Sequence, residues 1–305
     1  MNRIVISIFV FCGIIMSNQA CDERGVTGFI EDSVSMQMFS MEQSLIDEVE
    51  YNRILDRIEE IYTPIFEEKG GVMKVMRLWD SNQVNAFASR TGDNWFLKMH
   101  GGLARHKLFS SDGYALVACH EVGHHIGGAP KKYSFNESKS WVSNEAQSDY
   151  WANAKCFRRY ALMDDNAKIL ANMKVDEFAK TQCEEAFKGF DQNEIDICVR
   201  GAMAGKNLGD FFASFSSEKL SFETPDEEIV EKTNNGYPAA QCRMDTYFHG
   251  ALCNVSYDLE VSDKDEQVGV CNRKDDYILG ARPLCWYAPK EAEETTPEPT
   301  PAPLI

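Results

Sequence analysis

The sequence predicts an α+β fold that is mainly helical and carries one small sheet. Several stretches repeat apolar residues at helical spacing, and two short stretches rich in strand-forming residues lie between the first and second helices. The composition is 44% hydrophobic and 26% charged, which is ordinary for a globular protein and sufficient for a large core. A chain of 305 residues has room for one large domain or two small ones.

Residues 41–62 predict the first helix, which is amphipathic. Its apolar stripe consists of Leu45, Val49, Leu55, Ile58 and Ile61. Pro64 and the two glycines that follow at positions 70 and 71 are expected to end it. Residues 72–79 and 95–99 predict two strands, and a turn at residues 91–93 precedes the second strand.

Two helices follow, separated by a polar loop. The first is predicted over residues 113–126, with Asp112 as its N-cap and a Gly-Gly-Ala-Pro stop after it. The second is predicted over residues 145–162, with Asn144 as its N-cap. Further helices are predicted over residues 175–187, 195–215 and 243–253, and a polar loop over residues 217–232.

The two ends of the chain are not expected to join the core. Residues 1–20 have the layout of a secretory signal peptide, with Arg3, an apolar run and a small, polar end. An uncleaved membrane anchor is the alternative, but the run is short for a bilayer span, and no later stretch reaches the ~18 apolar residues that a span needs. We assign residues 21–40 to a linker, 41–289 to the functional domain and 290–305 to a flexible acidic, proline-rich tail.

Cysteine usage agrees with export to the periplasm or the cell exterior. Ten cysteines are present, of which Cys12 lies in the predicted signal and Cys21 directly follows it. The remaining eight allow up to four disulfides, whose pairing the sequence does not give. Cys21 is also a candidate lipid acceptor of the bacterial lipoprotein type, although Asn18 departs from the usual signal. A lipid on Cys21 is the one membrane contact that we expect.

The net charge of −17 argues against one class of partner. A chain this acidic, without a basic stripe, repels phosphate backbones, so nucleic acid is not expected to bind. The charge is expected to keep an exported protein in solution.

The predicted helix over residues 113–126 ends in an HExxH motif. His120 and His124 lie four residues apart, so on a helix both imidazoles reach one metal ion, and zinc is the ion that this motif typically binds. Glu121 lies on the same turn, where it is placed to act on a water molecule rather than to be a ligand. The alternative is a helix whose histidines are merely packed.

A third ligand is available at the start of the next helix. Glu145 follows His124 by 21 residues and completes a His₂Glu set, which leaves the fourth zinc position for water. Asp149 lies one turn later on the same face and is expected to accept the free ring N–H of a ligand histidine, His120 in the first instance. The alternative for both acids is a charged helix start that the helix dipole favours.

These two motifs together resemble a known group of enzymes. The pair HExxH and NExxSD is similar to the motifs of the gluzincin zinc metallopeptidases, including thermolysin-like peptidases. The order of the upstream residues, from Asn85 and Ala86 through the strand at 95–99 to the HExxH helix, is similar to the CAAX-prenyl-protease and heat-shock membrane-protease branch. The resemblance covers roughly residues 70 to 160 and extends at most to Arg243.

The resemblance implies a zincin-like domain in which an edge strand of the sheet borders the active-site cleft and takes the substrate as an extra strand. It gives residues 95–99 that task and places Asn85 and Ala86 in substrate binding. Tyr237, in a Tyr-Pro pair where the branch has His-Pro, becomes the candidate donor to an oxyanion, with His249 as the alternative donor. The alternative for Tyr237 is a packed surface turn. The branch normally has membrane-spanning helices, so this chain would be a relative without them.

The function expected from these residues is zinc-dependent hydrolysis of peptide or protein substrates, with one Zn²⁺ per chain and Glu121 as general base. Two alternatives remain open at this point. One is an exported scaffold that holds zinc without turnover, and the other is a specific or self-processing hydrolase. The oligomeric state does not follow from the sequence.

Overall fold

The structure, a computed structural model, describes residues 27–31, 45–132, 140–216 and 218–289. It has the α+β fold that the sequence predicts, with one four-stranded sheet and a larger helical part. The strands are β1 (Thr27–Gly28), β2 (Val72–Leu78), β3 (Ala86–Thr91) and β4 (Asn94–His100). The predicted signal peptide, Cys21 and the predicted tail lie outside the described residues.

Nine α-helical segments are found in the described part of the chain. They are α1 (Glu48–Glu68), α2 (Gly101–Ala104), α3 (Ser111–Ile126), α4 (Glu145–Trp151), α5 (Arg158–Ala161), α6 (Asn166–Leu170), α7 (Glu177–Ala186), α8 (Gln192–Ala213) and α9 (Ala240–Leu252). The three later helices that the sequence predicts correspond to α7, α8 and α9, with ends shifted by a few residues. The short helices α2 and α6 were not predicted.

The sheet has the order β1-β3-β4-β2, and this order corrects one expectation. β4 pairs in parallel with β2 and antiparallel with β3, so both of its backbone edges are occupied. The expectation that residues 95–99 form an edge strand is therefore wrong. β3, which the sequence analysis missed, lies between β4 and the two-residue strand β1, and it pairs antiparallel with both.

Helix α1 begins and ends later than predicted. Leu45 and Val49, the first two residues of the predicted stripe, are exposed, whereas Tyr62 and Phe66 are buried. Pro64 lies inside the helix rather than at its end. Because Tyr62 and Phe66 pack into the core on either side of Pro64, tertiary burial outweighs the lost backbone hydrogen bond.

Helix α3 runs through the middle of the core and is buried at every residue from Gly113 to Ile126. Its N-cap is Ser110, whose hydroxyl accepts from the backbone N–H of Gly113 at 3.0 Å, and not Asp112 as predicted. The carboxylate of Asp112 instead forms a two-point ion pair with Arg200. That distant partner is why the capping assignment from local sequence failed.

The predicted helix over residues 145–162 is helical over nearly its whole length, but not uniformly. Asn144 is its N-cap, as predicted, and accepts from Gln147 N–H at 2.8 Å. After α4 the backbone widens into a π-helix, Ala152–Phe157, before α5. In the loop before this helix, Lys131 and Ser143 form an isolated antiparallel β-bridge.

All eight cysteines between residues 119 and 285 are paired, which confirms the number of disulfides that the sequence allowed. The pairs are Cys119–Cys156, Cys183–Cys198, Cys242–Cys285 and Cys253–Cys271. Such a set is typical of proteins that fold in an oxidising environment outside the cytosol. Within the described residues, every helix is too short or too polar to cross a bilayer.

Candidate metal centre

The two histidines of the HExxH motif lie on one face of α3, near its C-terminal end. Their ring centroids are 4.5 Å apart and the rings are almost perpendicular. Both side chains are completely buried, as is that of Glu121 between them. The one-turn spacing of His120 and His124 therefore brings both imidazoles to the same buried point, as the helical period requires.

Helix α4 brings the third residue to this point because it packs closely against α3. A Cβ on Gly123 would lie only 3.2 Å from both the Cα and the carbonyl oxygen of Ser148, so the glycine allows the two backbones to approach. Asn144 caps the first turn of α4 and fixes the direction in which Glu145 leaves the helix. The side chain of Glu145 thus points at the two histidines.

The three side chains form a group with the geometry of a metal site. Nε2 of His120 lies 3.3 Å from Oε2 of Glu145, and Nε2 of His124 lies 3.7 Å from the same oxygen. Neighbouring ligand atoms in a tetrahedral site with bonds of about 2 Å are themselves about 3.3 Å apart. Nε2 of His124 also has no hydrogen-bond partner among the described residues. The donor set and its spacing therefore fit a divalent metal ion.

The outer ring nitrogens of both histidines are held by other groups. Nδ1 of His120 lies 2.7 Å from a carboxylate oxygen of Asp149. Nδ1 of His124 lies 2.9 Å from the carbonyl oxygen of Ser143 and 2.9 Å from the hydroxyl of Ser148. An acceptor at Nδ1 keeps the proton there and leaves Nε2 free to bind a metal.

Asp149 is held in turn by Arg243 and Tyr247 on α9. The guanidinium of Arg243 donates to both carboxylate oxygens, from Nε at 2.7 Å and from Nη2 at 2.8 Å, and the Tyr247 hydroxyl donates to one of them. Burial alone would raise the pKa of Asp149, but Arg243 and His120 lower it below its usual value. The carboxylate is therefore ionised and rigidly placed behind His120.

Burial sets the protonation of the other groups in the cluster. It lowers the pKa of His124 to about 3, so this imidazole is in the neutral form that binds metals. Burial also opposes a charge on His120, but Asp149 and Glu145 outweigh it and raise the pKa to about 9, so a metal ion must displace a proton there. For Glu145, burial is outweighed by Lys132, whose Nζ lies 2.6 Å from Oε1, and its pKa falls well below normal.

Glu121 is the exception among the buried acids. Neither of its carboxylate oxygens has a hydrogen-bond partner within the described part of the chain. Burial raises the pKa of Glu121 to about 8. A carboxylate with this environment, next to a metal-binding group, is typical of a residue that exchanges protons.

The remaining predicted residues meet at one place beside the cluster. Tyr237 donates its hydroxyl to the carbonyl oxygen of Gly28 at 2.5 Å. Ala86 accepts from the backbone N–H of Phe29 at 2.9 Å. The side chain of Asn85 accepts from Ile30 N–H at 3.1 Å and donates to the carbonyl oxygen of Ile30 at 3.0 Å. All three thus contact the short segment around β1.

His249, the alternative donor to Tyr237, has a different environment. Its pKa is lowered to about 4, mainly by burial, and a backbone contact with Ala281 opposes this shift. Its ring contacts Phe248, and within the described part of the chain no hydrogen bond, ion pair or ring contact joins it to the metal-binding group. Of the two donor candidates, Tyr237 is the one that reaches the site.

Lys132, Thr27 and Ser143 also take part in the site, and the sequence analysis assigned none of them a role. Lys132 lies in a polar loop and Thr27 in a stretch assigned to a linker, so neither carried a periodic or motif signal. Their contacts with Glu145 span 13 and 118 residues, respectively, and depend on the fold. Ser143 directly precedes the predicted N-cap Asn144, which is the only local sign of its position.

A second cluster of metal-ligating residue types, Asp226 with Cys242 and Cys285, carries no metal site. Its two cysteines form a disulfide and are not thiolate donors.

No family model, curated protein or solved structure matches this chain. The likeness to gluzincins therefore rests on the motif residues alone.

Proposed function

We propose that the chain is an exported zinc-dependent endopeptidase of the gluzincin type. The observation that carries the proposal is the environment of Glu121. Its carboxylate is completely buried, has no hydrogen-bond partner among the described residues, and lies beside the group formed by His120, His124 and Glu145. A scaffold site needs the three ligands but has no use for a fourth, unpaired acid, whose burial costs free energy. That cost is explained if the acid has a chemical task.

In this proposal His120, His124 and Glu145 hold the ion. A zinc ion held by these residues would act as a Lewis acid toward a water molecule and the peptide carbonyl. Glu121 takes the proton from the attacking water and delivers it to the leaving amine. Tyr237 donates a hydrogen bond to the oxygen of the carbonyl under attack. Asp149 keeps the proton on Nδ1 of His120 so that Nε2 faces the metal.

The test is metal analysis coupled to a cleavage assay on unfolded protein and a quenched peptide library. Glu121→Gln should retain one zinc ion per chain and lose turnover by a factor of about 10² to 10⁴, because the proton acceptor is gone. His124→Ala should lose the metal, and a chelator should abolish the activity of the wild type. The exposed Glu185→Gln serves as a control that changes an acid to an amide elsewhere.

Two outcomes would overturn the proposal. One is undiminished hydrolysis by Glu121→Gln. The other is a zinc-loaded wild type that cleaves neither proteins, nor library peptides, nor its own chain, which would favour a scaffold that holds zinc without turnover.

A further inference from the structure

Residues 27–30, assigned to a linker in the sequence analysis, lie buried against the metal-binding group. The hydroxyl of Thr27 donates to Oε1 of Glu145 at 2.5 Å. The ring of Phe29 is completely buried and meets the ring of His120 edge-on, with centroids 5.3 Å apart. Two residues of the segment thus contact two different members of the metal-binding group, which is unusual for a connecting segment.

The segment binds in the manner of a peptide added to a sheet edge. It runs antiparallel to β3, with Gly28 opposite Phe87, and its backbone is continued by the bond from Phe29 N–H to the carbonyl of Ala86. Asn85 then holds both the N–H and the carbonyl of Ile30. Main-chain hydrogen bonds of this kind bind extended peptides largely independently of their sequence.

The two carbonyl groups on either side of Phe29 N–H are each held by a side chain. The carbonyl of Gly28 accepts from the hydroxyl of Tyr237, and that of Phe29 accepts from Nη1 of Arg243 at 3.0 Å. Tyr237 is the residue proposed to hydrogen-bond the carbonyl under attack. The carbonyl of Gly28, at the peptide bond to Phe29, is therefore the one that faces the proposed donor.

The surroundings of the segment restrict which side chains fit at positions 28 and 29. The ring of Phe29 lies 5.2 Å from that of Phe212, between centroids, and 5.1 Å from Cζ of Arg243. A Cβ on Gly28 would lie 2.9 Å from the ring of Phe87 and 3.1 Å from the carbonyl oxygen of Ile30, so a side chain at this position would force its neighbours to shift. Beyond Ile30, a cavity of about 250 Å³ continues the groove past Tyr237.

We propose that residues 27–30 occupy the peptide-binding cleft in cis, as a tethered substrate analogue. The inference rests on the proposed function and extends it to the substrate. Peptides with a glycine followed by a large aromatic residue are the class that the site accepts, and they must displace the chain's own segment in order to bind. The cleft is therefore regulated by a segment of the same chain.

Binding, rather than turnover, provides the test. The probe is a fluorescent peptide with the sequence of residues 26–31, blocked at both ends and added to zinc-loaded chains that all carry Glu121→Gln. A further Gly28→Val change crowds Phe87 and should release the segment. We expect this variant to bind the peptide at least about tenfold more tightly than the chain with the native segment, because a tethered competitor acts at high effective concentration. A peptide with alanine in place of phenylalanine should bind the same variant about tenfold more weakly or worse.

Two further variants keep the test independent of folding defects. Thr27→Val removes only the hydroxyl that contacts Glu145 and Lys132, and should also tighten peptide binding if Gly28→Val does not fold. Thr91→Val makes the same chemical change at an exposed position of β3 and should leave peptide affinity at the native level.

Equal peptide affinity in the native-segment and released variants would overturn the inference, as would binding that does not depend on the peptide's phenylalanine. Because no step of this experiment needs hydrolysis, its failure is distinguishable from a failure of the proposed function. If the chain cleaves library peptides but the native-segment and released variants bind the probe equally well, the proposed function stands and only the inference of a tethered occupant is refuted.

Discussion

Asp149→Asn tests whether the groups behind His120 serve the metal or only the fold. The substitution keeps the size of the side chain but removes the charge that faces both Nδ1 of His120 and the guanidinium of Arg243. Two losses are expected, and they are measured separately. One is a loss of stability in the metal-free chain, and the other is a loss of zinc affinity.

The expected magnitudes follow from burial and geometry. Arg243 is 3% exposed, and breaking a buried ion pair costs about 3–5 kcal/mol because the remaining charge is left uncompensated. Arg243 retains its bond to the carbonyl of Phe29 and its stacking on Phe212, which places the cost near the lower end. Loss of a carboxylate behind a ligand histidine typically weakens metal binding about 10- to 100-fold, or about 1.4–2.8 kcal/mol.

The assay combines urea unfolding of the metal-free protein with zinc titration against a competing chelator. Asp112→Asn is the matched control, since Asp112 forms the same two-point pair with a buried arginine, Arg200, but touches neither histidine. Asp112→Asn should lose less stability than Asp149→Asn, because Arg200 keeps its ion pair with Asp164, and only Asp149→Asn should lose zinc affinity. If the two variants bind zinc equally well, Asp149 has no role at the metal and the assignment is refuted.

Two more predictions concern stability. Burial lowers the pKa of Lys155 to about 7, against 10.5 for an ordinary lysine, so between these pH values the unfolded chain binds more protons and stability rises with pH. In the wild type this adds roughly 2 kcal/mol to the free energy of unfolding between pH 7 and pH 9, and Lys155→Met should remove that increase. Urea unfolding at both pH values measures it, and an equal increase in wild type and variant would contradict the prediction. Replacing both Cys119 and Cys156 by alanine should lower the free energy of unfolding by about 3–4 kcal/mol, because their disulfide closes a loop of 37 residues. The same change should weaken zinc binding, because this disulfide ties α3 to the helical segment that follows Glu145. Replacing the pair Cys183 and Cys198 should lower the melting temperature without affecting zinc, and equal zinc affinities in the two double variants would contradict this prediction.

The part of the site that the sequence predicted is the part encoded by local spacing. His120 and His124 share a face because four residues make about one helical turn, and Glu145 is placed by its neighbour Asn144, whose capping preference is a local property. For these residues, a correct helix assignment already implies the geometry. The fold class follows in the same way, because helical and strand periodicities are visible without knowing which elements touch.

The sheet order could not be predicted because it depends on pairing between distant segments. β1 has only two residues and no alternation of apolar and polar side chains, so it gave no strand signal. Its partner β3 begins at Ala86, in a stretch whose strand character becomes evident only when β4 lies beside it. Placing β4 in the centre then follows from its pairing with both β2 and β3, which no single stretch of sequence records.

The charges inside the core give a physical reason to connect the metal with Glu121. Three carboxylates in this part of the core are completely buried, those of Glu121, Glu145 and Asp149. Asp149 is compensated by Arg243 and Glu145 by Lys132, each through direct contact. Glu121 has no such contact among the described residues, and its pKa of about 8 means that without a further positive charge it would be largely protonated at neutral pH. A divalent ion bound by the neighbouring ligands would supply that charge, lower the pKa of Glu121 and produce the carboxylate form that a general base requires. The same ion would then account for both the ligand geometry and the burial of an otherwise uncompensated acid.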